Sequence, residues 1–135
     1  MKKKRIVIVI ACVALLVVMI AGFLSVMGKK PFKDLDAAQI ASVSVRLTPP
    51  DKTIEIEDIP GFVEYLKDVV IYNEDNSYTE YAGQSVTFTL TMTDGTQTEI
   101  RAYNPFLIIN GVGYRTKYGP CDELSRYANE LLNAD

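Results

Sequence analysis

Hydrophobic and polar positions fall into two regimes along the chain. Residues 6–28 form an apolar run without charge, broken only by Gly22, Ser25 and Gly28. As a helix rising about 1.5 Å per residue it reaches ~34 Å, the scale of a ~30 Å hydrocarbon core. The run predicts a transmembrane helix over 6–28 behind a basic cytoplasmic N-terminus at 1–5. Residues 29–35, with one proline, read as a linker, and 36–135 as an extracytoplasmic domain.

Within that domain the pattern has period two. Val43, Val45 and Leu47 oppose Ser42, Ser44 and Arg46, and Ile54 and Ile56 alternate with Thr53, Glu55 and Glu57. Val86, Phe88, Leu90 and Met92 oppose Thr87, Thr89, Thr91 and Thr93; Thr98, Ile100 and Ala102 oppose Gln97, Glu99, Arg101 and Tyr103. Strict alternation marks antiparallel strands with one buried face. Parity also selects the turns. A two-residue Asp94-Gly95 loop puts Glu99 and Arg101 on the core face, whereas Thr93-Asp94-Gly95 pairs Leu90 with Thr98 and Phe88 with Ile100, with Gly95 at positive φ. Asn110-Gly111 predicts a type I′ hairpin pairing Ile109 with Val112 and Leu107 with Tyr114.

Two helices fit the rest. Asp58 caps one with Pro60 in its first turn and Phe62, Leu66, Val69 and Val70 on its apolar face. The other opens at Gly119-Pro120 and carries Leu124, Tyr127, Ala128, Leu131 and Leu132 at helical spacing. The expected fold is therefore α+β: one N-terminal transmembrane helix, then an antiparallel sheet of about five to seven strands with two helices packed on one face. The predicted element order of the domain is β-β-α-β-β-β-β-β-α, with the opposite face open.

Charge sharpens the functional picture. Residues 31–135 carry eight basic and seventeen acidic groups, a net of −9, which is a poor footprint for nucleic acid. Residues 2–5 hold four basic groups, and the positive-inside rule keeps them cytoplasmic. The expected location is the cell membrane, single-pass, with the C-terminal domain outside. A cleaved signal peptide is the alternative, although the small residues near 21–28 make a poor cleavage site. A lipid-bearing Cys12 would leave more than a dozen apolar residues behind it, which does not suit a lipoprotein tether. Cys12 lies in the apolar run and Cys121 near the far end, so no disulfide is expected.

Pro31-Phe32, the Ile40-Ala41-Ser42 start, Leu47-Thr48-Pro49-Pro50-Asp51-Lys52-Thr53, Tyr103-Asn104-Pro105-Phe106 and Gly111-Val112-Gly113-Tyr114 resemble a family of small membrane-anchored or secreted extracytoplasmic proteins of Gram-positive anaerobes. The resemblance spans about residues 31–133 and brings no activity, cofactor or catalytic residue with it. The layout is also similar, more loosely, to small extracytoplasmic lipoprotein domains, from which it departs in lacking a Cys after the apolar run.

Candidate chemistry is sparse. With no His and no Trp, His-based triads, His-rich metal sites and Trp sugar platforms are removed. Cys121 follows Pro120 at a helix start, where a thiol can be activated; Asp122 and Glu123 beside it favour the neutral, structural form. Asn73-Glu74-Asp75-Asn76-Ser77 alternates oxygen side chains like the start of a calcium loop, but Tyr78 and Gln84 stand where that loop needs Gly and Glu. Glu55, Glu57, Glu80 and Glu99 could supply a carboxylate pair, yet no spacing singles one out. No catalytic, cofactor or metal residue is assigned and no cofactor is expected.

What remains is a polar sheet face. Thr87, Thr89, Thr91, Glu99 and Arg101 are the candidate interaction residues, either as a plain solvent face, since Thr favours strands, or as a docking platform. Tyr72, Tyr78, Tyr81, Tyr103 and Tyr118 lie in or near loops, where exposed Tyr favours interfaces. The expected function is a membrane-anchored extracytoplasmic binding or accessory domain rather than an enzyme. Its expected partners are the lipid bilayer through residues 6–28 and a membrane or envelope protein. The alternative is a cleaved, secreted inhibitor or a small carboxylate-dependent enzyme.

Overall fold

The computed structural model describes residues 2–134, with the side chains of 20–26 and residues 1 and 135 outside the described set. Helix α1 (Lys2–Met27) leads into β1 (Ile40–Thr48), β2 (Lys52–Glu55), α2 (Ile59–Lys67), β3 (Ile71–Glu74), β4 (Ser85–Met92), β5 (Gln97–Tyr103), β6 (Phe106–Ile109), β7 (Val112–Thr116) and α3 (Tyr118–Ala134). The seven strands form one antiparallel sheet in the order β2-β1-β4-β5-β6-β7-β3.

The N-terminal part of the expected fold needs correcting. Among the described residues no helix is long and apolar enough to cross a membrane. The transmembrane helix expected over 6–28 is therefore not part of the described fold. Side chains of residues 2–19 are exposed, and Gly22 and Ser25 lie outside the described side chains. After α1 the chain does not hang free. Lys29 and Ile71 exchange two backbone hydrogen bonds of 2.9 Å, which caps the β3 edge, and Phe32 and Leu35 pack against the core.

The two hairpins follow the parity of their side chains. Leu90 pairs with Thr98 and Phe88 with Ile100, Gly95 N–H donates to Met92 O, and Gly95 takes φ +89°. Asn110 and Gly111 adopt φ +49° and +85°, and Ile109 faces Val112 while Leu107 faces Tyr114. Asn110 also grips β5: its N–H donates to Glu99 O and its Oδ1 accepts from Glu99 N–H, both at 2.8 Å.

One sheet face carries the core. Val43, Val45, Leu47, Val86, Phe88, Leu90, Ile100, Ala102 and Leu107 meet Phe62, Val63 and Leu66 of α2 and Leu124 and Ala128 of α3. Asp58 starts α2 by accepting from Gly61 N–H at 3.0 Å. Phe62 lies against Phe88 with ring centres 4.8 Å apart and stacks on Tyr127 at 6.0 Å, so both helices close over the middle of the sheet.

Candidate binding face

On the side away from the helices, pairing arranges polar residues in rows. One row is Ser42, Thr91 and Gln97; the next is Glu55, Ser44, Thr89 and Glu99; the third is Thr53, Arg46, Thr87 and Arg101. Neighbours within a row lie ~4.8 Å apart, and successive rows about 6.7 Å. Thr87, Thr89, Thr91 and Arg101 are half-exposed and Glu99 is exposed. These five candidates therefore do share one surface, and the three rows contain no lysine.

That surface is not open throughout, as parity alone implied. The connection from β3 to β4, residues 75–84, crosses the β5-β6-β7 end as a strap. Beneath it Tyr103, Phe106 and Ile108 form a second small core with Tyr78, and Tyr81 adds a ring 5.4 Å from Phe106. Asp75 N–H donates to Gly113 O at 2.8 Å, and Gly113 N–H donates to Asn76 Oδ1 at 2.8 Å. A Cβ at Gly113 would lie 2.7 Å from the Tyr78 ring, so glycine is what lets the strap seat. The signal was in the sequence: a glycine inside a strand marks close backbone approach.

Asp75 locks this layer. Its Oδ1 accepts from Ser77 N–H and Oγ at 3.0 and 2.6 Å, and its Oδ2 accepts from Arg115 Nε at 2.8 Å. The Ser77 hydroxyl and amide, then Arg115, bring its pKa down to about 2. The alternating oxygens of residues 73–77 are thus turned to the protein's own donors, and among the described residues no acidic or thiol cluster could hold a metal ion.

Arg101 ends the open part of the face. Its guanidinium carbon stands 5.1 Å from the Tyr103 ring centre and 5.8 Å from that of Tyr78. Its Nε is buried without a hydrogen-bond acceptor. Of the tyrosines read as loop residues, Tyr103 is 8% exposed and belongs to the small core, while Tyr81 and Tyr118 are exposed.

Two of the candidate carboxylates are kept apart. Glu55 and Glu99 share a row but sit three strand spacings from each other, about 14 Å, wider than the roughly 5–9.5 Å of a glycosidase pair. Cys121 is buried with its Sγ 3.6 Å from Phe106 O. Burial, with a smaller push from Asp122, raises its thiol to about 12, where a nucleophilic thiolate is inaccessible. No family model, curated protein or solved structure matches this chain.

Proposed function

We propose that this chain is a membrane-associated binding or accessory domain whose threonine face, on β1, β4 and β5, docks a protein partner. The observation that carries this reading is the lysine-free array of half-exposed Ser and Thr side chains on a sheet braced from behind by two helices. Such a face is rigid, and interfaces are depleted in Lys. Four basic groups at residues 2–5, followed by exposed apolar side chains at 6–19, support a lipid bilayer as the second partner. Nucleic acid is no part of this reading, because the domain's net charge repels phosphate.

The test is chemical cross-linking of the full chain in its native membrane, comparing Thr89→Arg with Glu130→Arg. Glu130 lies exposed on α3, on the other side of the molecule. A cross-linked product kept by the wild type and Glu130→Arg and lost in Thr89→Arg supports the reading. A product that survives Thr89→Arg contradicts it.

A further inference from the structure

The arginines of the domain differ in how their charge is met. Arg46 pairs with Asp51 at 2.8 Å, Arg115 with Asp75 at 2.8 Å, and Arg126 with Asp122 and Glu123 at 3.2 and 3.6 Å. Among the described residues Arg101 has no such partner, although the domain is strongly acidic. Glu99, two positions along the same strand face, forms no ion pair with it. The aromatic rings of Tyr78 and Tyr103 lie within cation–π range of its guanidinium instead, fixing its position without neutralising it. Nε is buried while the residue is half-exposed, and Thr87 is its register partner on β4.

We propose that Arg101 is a receptor for a carboxylate group, held in place by Tyr78 and Tyr103 at the border between strap and threonine face. A planar guanidinium presents parallel N–H donors that match the two oxygens of a carboxylate. Thr87, its neighbour on β4, places a hydroxyl on the same surface to accept or donate a further hydrogen bond. This site deepens the docking reading and rests on it for biological use, but its chemistry can be tested separately.

The experiment follows the arginine Nε–Hε signals of the full chain, ¹⁵N-labelled at arginine, in neutral detergent micelles by NMR. The chain is titrated with acetate, and with acetamide as the uncharged isostere, at constant pH and ionic strength. The expected result is a saturable shift of the Arg101 signal with acetate only, with Arg46, Arg115 and Arg126 unmoved because their partners are internal. Arg101→Lys keeps the charge but loses the fork and, read on the Thr87 and Ala102 backbone amides of the uniformly ¹⁵N-labelled chain, should bind about tenfold more weakly. Two further arms, a capped peptide with a single Glu and glucuronate, separate a polypeptide source of the carboxylate from a sugar one by whichever binds tighter. Equal movement of all arginines, no movement of Arg101, or an unchanged affinity in Arg101→Lys overturns the proposal. Thr89→Arg should lose the cross-linked partner yet keep the acetate response, so failure of the docking reading and failure of this site give different results.

Discussion

At Asp75 one carboxylate serves three donors, the Ser77 amide and hydroxyl and the Arg115 guanidinium. Its folded value of about 2 lies below the ordinary 3.8. A depressed carboxylate stabilises the fold fully above its unfolded value, and that contribution is lost as pH falls through the folded one. Asp75→Asn should therefore lower the urea midpoint at neutral pH, and the gap to wild type should close as pH drops from about 4 to about 2. A gap that stays constant with pH would mean that the ionised carboxylate does not hold the strap. Gly113 makes the complementary prediction. Gly113→Ala forces Asp75 and Tyr78 away and should cost about 1–3 kcal/mol, the range of overpacking, with loss of near-ultraviolet tyrosine circular dichroism. Full retention of both signals would show that the strap does not pack there.

The elements differ in how plainly the sequence announces them. The β4–β5 and β6–β7 hairpins are legible because side-chain parity and turn chemistry agree: only a three-residue loop keeps Glu99 and Arg101 off the core, and Asn-Gly suits two consecutive positive φ values. The start of β1 is less legible. Between Ile40↔Met92 and Ser42↔Thr91 the register shifts by one residue at Ala41, and this bulge turns Ile40 inward against the period of Val43, Val45 and Leu47. The strap is the least legible. Asp75, Asn76 and Ser77 are turn formers in any solvated loop, and nothing in their order says that Tyr78 will fold back onto Phe106. The candidate face was legible at Thr87, Thr89, Thr91 and Glu99, whose place depends only on alternation. The aromatic setting of Arg101 was not, because it depends on a loop about 20 residues away in sequence. The membrane-spanning expectation rested on an uncharged apolar run behind a basic flank, and among the described residues no helix is long and apolar enough to cross a membrane.

At the largest scale, two layers brace a single sheet unequally: the helices close over the middle of one face, and the strap covers one end of the other. No disulfide takes part, since Cys121 is buried alone and Cys12 lies on α1. Residues 28–135 retain the Lys29–Ile71 pairing and should fold without oxidant. Their one thiol should resist a thiol reagent until urea unfolds the chain, given burial and a value near 12; rapid labelling of the folded fragment would contradict a core position for Cys121. Among the described residues nothing packs over the threonine face between β1 and β5. Urea denaturation of this fragment carrying Leu90→Ala or Thr89→Ala, adjacent residues on opposite faces, shows whether that face is open. Leu90→Ala empties a fully buried site and should cost about 2–5 kcal/mol, whereas Thr89→Ala should cost about 1 kcal/mol or less, the scale of strand propensity and surface change. Comparable losses at both positions would place a second layer over the threonines and remove the surface on which the docking reading depends.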